Sequence, residues 1–185
     1  MFDKNVYQNR RRNLRDDMGT GLLLFPGNTE ASMNYPANTY RFRQDSSFLY
    51  YFGLDHPDFA GVIDADSGDE IIFGDDVDLD DIIWMGPQPS IQEQADRVGI
   101  TNTHPFNKLH DFIKDALGKG RTIHYLPPYR GEQIQQLSTL LQASPTEVKD
   151  NASVDLIKAV VKMRLIKEEV ELREIESAVD IAYEM

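Results

Sequence analysis

Residues Tyr40 to Asp64 read YRFRQDSSFLYYFGLDHPDFAGVID, and the reading of this stretch decides the fold. Two arginines alternate with aromatics at Tyr40, Arg41, Phe42 and Arg43, and Gln44 and Asp45 follow. Asp45 or Ser46 offers a short side-chain oxygen that accepts an orphan N–H at a helix start. Gly53 offers the residue that tolerates positive φ at a helix end. The run between them, Ser46-Ser47-Phe48-Leu49-Tyr50-Tyr51-Phe52, therefore reads as one short, mostly buried helix. Beyond the break at His56-Pro57, Phe59-Ala60-Gly61-Val62-Ile63 reads as a buried strand. Aromatic clusters of this kind are normally core. A second reading makes Arg43, Gln44 and Asp45 a polar patch on a rigid aromatic base, because the planar arginine fork suits carboxylates. Such a patch would suit a peptide or a neighbouring subunit.

Working outward, residues 5–17 read as an amphipathic helix with Val6, Leu14 and Met18 among its apolar positions. The triplet Arg10-Arg11-Arg12 reads as the solvated basic face of that helix. Residues 21–26 are continuously apolar, as in a strand buried on both faces, and 27–38 are expected to form a polar loop. On the other side, 60–64 and 70–74 form a hairpin across the turn formers of 65–69. Asp75 to Asp81 is an acidic run, read as a solvated loop. Ser90 and Glu93 make a capping box for a helix reaching Val98. A strand at 100–104, a helix at 108–117 capped by Asn107, a strand at 122–126 and a helix at about 130–142 follow, with a short edge strand at 146–149. Strands thus alternate with helices, and the fold class is α/β: a mixed sheet, with antiparallel pairs from the hairpin and parallel pairs from βαβ units, flanked by helices. From Ser153 a helical region runs to the last residue, with a bend at 164–167. Its second helix is still amphipathic at Met185, so the sequence is expected to continue into further structure.

Composition sets the bounds. The 185 residues hold 41% hydrophobic side chains, nine Phe and eight Tyr, enough for one real core, and no cysteine. No apolar run is long enough for a membrane span and no signal-peptide core opens the chain, so a cytoplasmic protein is expected. Asn151-Ala152-Ser153 matches a glycosylation sequon and is read as chance. The net charge of −12 is concentrated: residues 45–104 hold fourteen acidic side chains and one basic. That excludes nucleic acid as a main partner, since phosphate binding needs a basic surface.

The motif F-R-Q-D-S-S-F-x-Y-x-x-G from Phe42 to Gly53 resembles the N-terminal domain of aminopeptidase P and Xaa-Pro dipeptidases, the creatinase/prolidase metallopeptidases. Three further segments resemble the family in the same order. They are the hairpin from Gly61 to Gly74, the run Ile83-Trp84-Met85-Gly86 before the helix bearing Glu93 and Ala95, and Met163-Arg164-Leu165-Ile166-Lys167 with Glu171-Leu172-Arg173-Glu174-Ile175. The resemblance implies a ribonuclease H-like N-terminal domain over residues 1–150, then a linker and the start of a catalytic domain over 151–185. It implies a parent enzyme, active as a homodimer or tetramer on short proline-containing peptides, with two divalent metals, manganese, in the catalytic domain. Trp84 and Arg43 would then wall the active site of their own or a neighbouring subunit, supported by Tyr40, Gln44 and Asp45. For Trp84 the alternative is core packing beside Ile82 and Ile83. For the whole chain the alternatives are a binding module without peptidase activity and a creatinase-like amidinohydrolase.

Catalytic residues are not expected in this stretch. The family's two metal-binding aspartates stand ten residues apart, a spacing met here at Asp64/Asp75, Asp55/Asp66, Asp58/Asp69 and Asp69/Asp80. Four matches within one acidic stretch make the spacing an effect of composition. The pair Asp64-x-Asp66 does not open a calcium loop, because the required glycine is Asp69. His56, His104, His110 and His124 have no H-E-x-x-H context. His104 and His124 would meet only if their strands were neighbours.

Overall fold

The computed structural model describes residues 1–77, 82–84 and 86–185. Strands β1 (Leu22–Pro26), β4 (Ala60–Asp64), β5 (Glu70–Phe73), β6 (Asn102–His104) and β7 (Ile123–His124) form one mixed sheet in the order β6-β5-β4-β1-β7. β1 runs antiparallel to β4, with Leu22 opposite Asp64 and Phe25 opposite Gly61, and β4 antiparallel to β5. β5–β6 and β1–β7 are the parallel pairs. The expected mixed α/β sheet is what forms.

Alternation along the central strands sends side chains to two cores. On one face Leu23, Phe25, Ile63 and Ile72 meet α1 (Lys4–Met18), α2 (Ser46–Phe52), α3 (Ile91–Arg97) and α7 (Val154–Leu165). On the other, Leu22, Leu24, Val62 and Phe73 meet α4 (Lys108–Gly118), α5 (Gly131–Leu141) and α6 (Pro145–Asp150). The last helix, α8 (Glu169–Glu184), buries no residue.

The hinge of this arrangement is α2. Asp45 accepts from the N–H groups of Ser47 and Phe48, both at 2.9 Å, and Gly53 closes the helix at φ 65°. A Cβ at Gly53 would stand 2.3 Å from the Tyr7 ring, so the glycine is required by contact as well as by dihedral.

Four local expectations are corrected. Arg10 and Arg11 are not a solvated face: they are 2% and 0% exposed, and of the triplet only Arg12 faces water. α2 ends in carbonyls that its own helix cannot satisfy. Arg10 Nη1 donates to Tyr50 O at 3.1 Å and Arg11 Nη1 to Tyr51 O at 2.9 Å. Residues 27–38 are not all loop: β2 (Ser32–Tyr35) and β3 (Asn38–Thr39) pair into a small, largely exposed hairpin around Pro36. The expected edge strand at 146–149 is helical, because Ser144 and Glu147 form a capping box with Pro145 at the first helical position. Asn107 starts α4 without a side-chain cap, its backbone already being helical. Of the acidic run, Asp78, Asp80 and Asp81 lie outside the described residues. Asp75 and Asp76 are exposed, as a solvated loop implies, and also accept from Phe106 N at 3.1 Å and Ile91 N at 2.6 Å.

Candidate functional site

The start of α2 meets the loop leaving β1 through a run of side-chain amides. Buried Gln44 accepts from Asn28 N at 2.6 Å and Asp45 N at 2.8 Å, and donates to His56 O at 2.7 Å. Buried Asn28 donates to Arg43 O at 2.8 Å and to the Tyr129 hydroxyl at 3.3 Å, and accepts from Gln133 Nε2 at 3.1 Å. These bonds use nearly every polar atom of the three amides, and a satisfied buried network of this kind fixes its surroundings rigidly. Gly27 permits it: its N–H donates to Phe59 O at 2.8 Å, and a Cβ there would stand 2.5 Å from that same oxygen.

Above the network lies a cleft of about 270 Å³ lined by Asn28, Arg43, Gln44, Ser46, Tyr129 and Arg130. Arg130 is steadied by a hydrogen bond from Nη1 to Thr29 O at 3.1 Å, while Arg43 is exposed. Two guanidinium side chains and a phenol beside a rigid floor suit a carboxylate or another planar anion. A more apolar groove of about 340 Å³, with Leu126, Pro127, Pro128 and Val160 in its walls, shares Ser46 and Tyr129 with that cleft.

The structure therefore brings Arg43, Gln44 and Asp45 together, with Gln44 and Asp45 serving the backbone and Arg43 turned to solvent. Tyr40 is exposed next to the β2–β3 hairpin, its N–H donating to Ala31 O. Trp84 is 87% exposed, so core packing is not its role. It is not among the residues lining either cleft, and its neighbour Met85 lies outside the described residues. Tyr129, Arg130, Asn28 and Gln133 were not legible as site residues, because they converge only through the pairing of β1 with β7. The buried arginines did leave a signal: Tyr7, Arg10, Arg11 and Leu14 stand at i, i+3, i+4 and i+7, the spacing of one helix face.

Among the described residues, no three His, Asp or Glu side chains are grouped to hold a metal ion. Asp64 and Asp66 are taken by Arg121, whose Nη1 and Nη2 reach Asp64 at 2.8 and 2.5 Å and whose Nη2 also reaches Asp66 at 2.5 Å. Burial would raise the Asp64 carboxyl. Hydrogen bonds from Arg121 and from the N–H groups of Ser67 and Asp66 outweigh it and hold the group below the usual carboxylate range. His104 and His124 sit on β6 and β7, the opposite edges of the sheet, and do not meet. His124 Nδ1 lies 2.8 Å from Ser153 Oγ, the contact a serine nucleophile would make with its base. Here the hydroxyl is the N-cap of α7 and accepts from Leu156 N, so the pair fastens β7 to that helix.

Known proteins agree with this architecture. The family model for the aminopeptidase P N-terminal domain matches residues 7–124. A probable Xaa-Pro aminopeptidase of Talaromyces stipitatus is 29% identical over 149 residues, covering 75% of this chain and 30% of that protein. Aminopeptidase P from Escherichia coli in its low-pH form superposes with a TM-score of 0.73 at 19% identity, over 94% of this chain and 41% of that one. The zinc-substituted E. coli aminopeptidase P in complex with product gives 0.72 at 20%, over 93% and 41%. The chain thus spans about a third of the length of the curated relatives it matches. With the fold, the α2 motif and the family match in agreement over most of its length, this chain belongs to the aminopeptidase P N-terminal domain family.

Proposed function

We propose that this chain is the non-catalytic N-terminal domain of a metal-dependent Xaa-Pro aminopeptidase or dipeptidase, whose remaining part hydrolyses the bond between an N-terminal residue and proline. The observation that carries this reading is the family match over residues 7–124, together with relatives named as probable Xaa-Pro aminopeptidases. The described residues do not fit the two-metal centre implied by the family resemblance, so no catalytic step is assigned to them; manganese is the metal we propose for the parent's catalytic domain. Residues 1–150 are the domain proper in this reading, and 151–185 lead out of it.

The domain's own contribution is to oligomer contacts and to access. Trp84 presents a large aromatic surface to solvent, the kind of residue enriched where subunits or ligands meet. Arg43 presents a guanidinium over a floor held rigid by Gln44, Asp45 and Asn28, suited to a peptide carboxylate or an acidic loop of a neighbouring copy. Tyr40 flanks it in sequence. A cytoplasmic homodimer or tetramer acting on short proline-containing peptides is the setting we propose; no described helix is long and apolar enough to cross a membrane.

Light scattering of the 185-residue chain, followed by an assay on an Xaa-Pro peptide with and without Mn²⁺, tests the reading. The expected result is a folded chain with no hydrolysis under either condition, and metal-dependent hydrolysis once the chain is extended to the length of its relatives. Metal-dependent cleavage by the 185 residues alone would overturn it.

A further inference from the structure

α8 buries no residue, so apolar packing does not set its direction. Its first turn is held by charge. Arg10 of α1 is 2% exposed, and its Nε and Nη2 both donate to Glu168 Oε2, at 3.1 and 2.7 Å. Glu171 stands 3.6 Å from the same Nη2 and accepts from Glu168 N at 3.0 Å. On its other side the guanidinium belongs to the body. It donates to Tyr50 O at 3.1 Å and lies 3.9 Å from the centroid of the Tyr50 ring and 5.3 Å from that of Phe2. One buried group thus grips the body through a carbonyl and two rings, and grips α8 through two carboxylates. Between these elements lies a cleft of about 690 Å³, with Phe2, Tyr50 and Leu54 on the side of the body and Glu171 and Ile175 on the side of α8.

The joint that this grip controls is visible in the backbone. α7 ends at Leu165, Ile166 and Glu168 are extended with ψ 121° and 156°, and α8 begins at Glu169. A short extended link between two helices is a natural hinge, because few dihedrals must change to swing one helix against the other. We propose that Arg10 and Glu168 form a latch that closes this hinge, fixing the direction of α8 and with it the width of the cleft. Opening the latch takes both carboxylates from the Arg10 guanidinium and leaves it the Tyr50 carbonyl and the two rings, whereas Glu168, 42% exposed, returns to water with little penalty. The closed state is therefore held mainly from the Arg10 side. The arginine fork engages both donors at once, which a lysine ammonium cannot do. The latch rests on this chain's own contacts and does not depend on peptidase activity in the parent.

The chain has no cysteine, so a spin-label pair is introduced cleanly at Lys114→Cys on α4 and Asp180→Cys on α8, both at exposed positions. Distance distributions between the labels are measured in the otherwise unaltered chain, in Glu168→Ala and in Arg10→Met. A single narrow distance is expected for the unaltered latch, and a distribution roughly twice as wide in either variant. Amide-exchange protection of β1 and β4 should be unchanged in Glu168→Ala. That replacement removes only the half of the capping box made by the Glu168 side chain: the Glu168 N–H still donates to the Glu171 carboxylate, and the Glu168 carbonyl still accepts from Glu171 N and Leu172 N, so α8 keeps its start. Glu168→Ala thus keeps the test valid should Arg10→Met fail to fold. Equal widths in the latched chain and in Glu168→Ala, whether both narrow or both broad, would overturn the proposal.

Discussion

Arg11 Nε donates to Glu70 Oε2 across 2.8 Å while the rest of the same guanidinium reaches Tyr51 O and Val98 O, both at 2.9 Å. One fully buried side chain thus ties α1 to the first residue of β5, to the end of α2 and to the end of α3. Burial lowers the pKa of Arg11, and Glu70 opposes that shift; an arginine stays charged through either. Arg11→Ala would leave two carbonyls and a carboxylate without their donor, at a cost of about 3–5 kcal/mol. Arg12→Ala, one position along and exposed, should stay within about 0.5 kcal/mol. Urea unfolding of the two variants side by side checks the contrast. Equal midpoints would mean that the triplet is the solvated face its composition implied.

The α2 start gives a second, smaller effect. Asp45 accepts from two orphan N–H groups, so Asp45→Ala should cost about 1–2 kcal/mol and Asp45→Asn only a few tenths. The measurement is again the unfolding midpoint. A loss in Asp45→Asn as large as in Asp45→Ala would point to a role of the charge that the cap geometry does not supply.

At the other end of the same helix, Gly53→Ala forces a side chain into φ 65° and drives a Cβ against the Tyr7 ring. The backbone alone contributes about 1–2 kcal/mol, and displacing Tyr7 adds to it. Thermal melts should show Gly53→Ala well below Gly118→Ala, a helical position with open space where a Cβ would stand and with a gain in helix propensity.

These residues show which parts of the fold were legible. Asp45, Gly53 and the Ser90–Glu93 box were readable because capping is a local bargain between a side chain and the next turn. The central strands were readable because they are apolar without interruption. The region around Thr146 was misread because Thr and Val favour strands by type, while Ser144, Pro145 and Glu147 spell a helix start by position. Arg10 and Arg11 look solvated by residue type and buried by spacing: the face Tyr7-Arg10-Arg11-Leu14 is helical in period, but two of its four members are charged. Their partners, the carbonyls of α2 and the acids at 70 and 168, are distant in sequence. The cleft over Asn28 was illegible for the same reason, since Tyr129, Arg130 and Gln133 reach it from more than a hundred residues away. Arg43 and Gln44 could be named as candidates because they sit in the motif itself.

The Asp64–Arg121 pair makes stability depend on acid. The folded chain holds the Asp64 carboxyl below its ordinary range, so the unfolded chain binds that proton more tightly. The stabilisation is therefore complete above the unfolded value of about 3.9 and is lost as pH falls through the depressed folded value. Arg121→Gln should remove this component, flattening the dependence of the urea midpoint below about pH 4 while lowering the plateau at neutral pH. A variant curve parallel to that of the unaltered chain would exclude Arg121 as the cause.

His124 adds a component at higher pH. Burial lowers its pKa, against the opposing pull of Asp155 and of a hydrogen bond to the Thr20 main chain. The unfolded chain thus protonates first, and the stabilisation from a neutral imidazole is present above about 6.5 and lost as pH falls below it. His124→Gln should abolish the loss of stability that sets in as pH falls below about 6.5 and leave the acid limb set by Asp64 intact. Persistence of that loss in the variant would assign it to another group.

Trp84 separates a structural from an interfacial role. With 87% of its surface exposed, Trp84→Ala should change the stability of this chain by no more than about 0.5 kcal/mol. If the tryptophan meets a neighbouring subunit or a bound peptide in the longer protein, the same substitution there should weaken assembly or raise KM without a matching fall in thermal stability. Large aromatic anchors at such contacts typically contribute about 2 kcal/mol or more when truncated, some thirtyfold in affinity. Sedimentation and peptide kinetics on the longer protein, set beside melting of the 185-residue chain, read the two effects independently. Loss of stability in the short chain would place Trp84 in packing after all, and no change in any of the three would remove it from the wall that Arg43 is proposed to share.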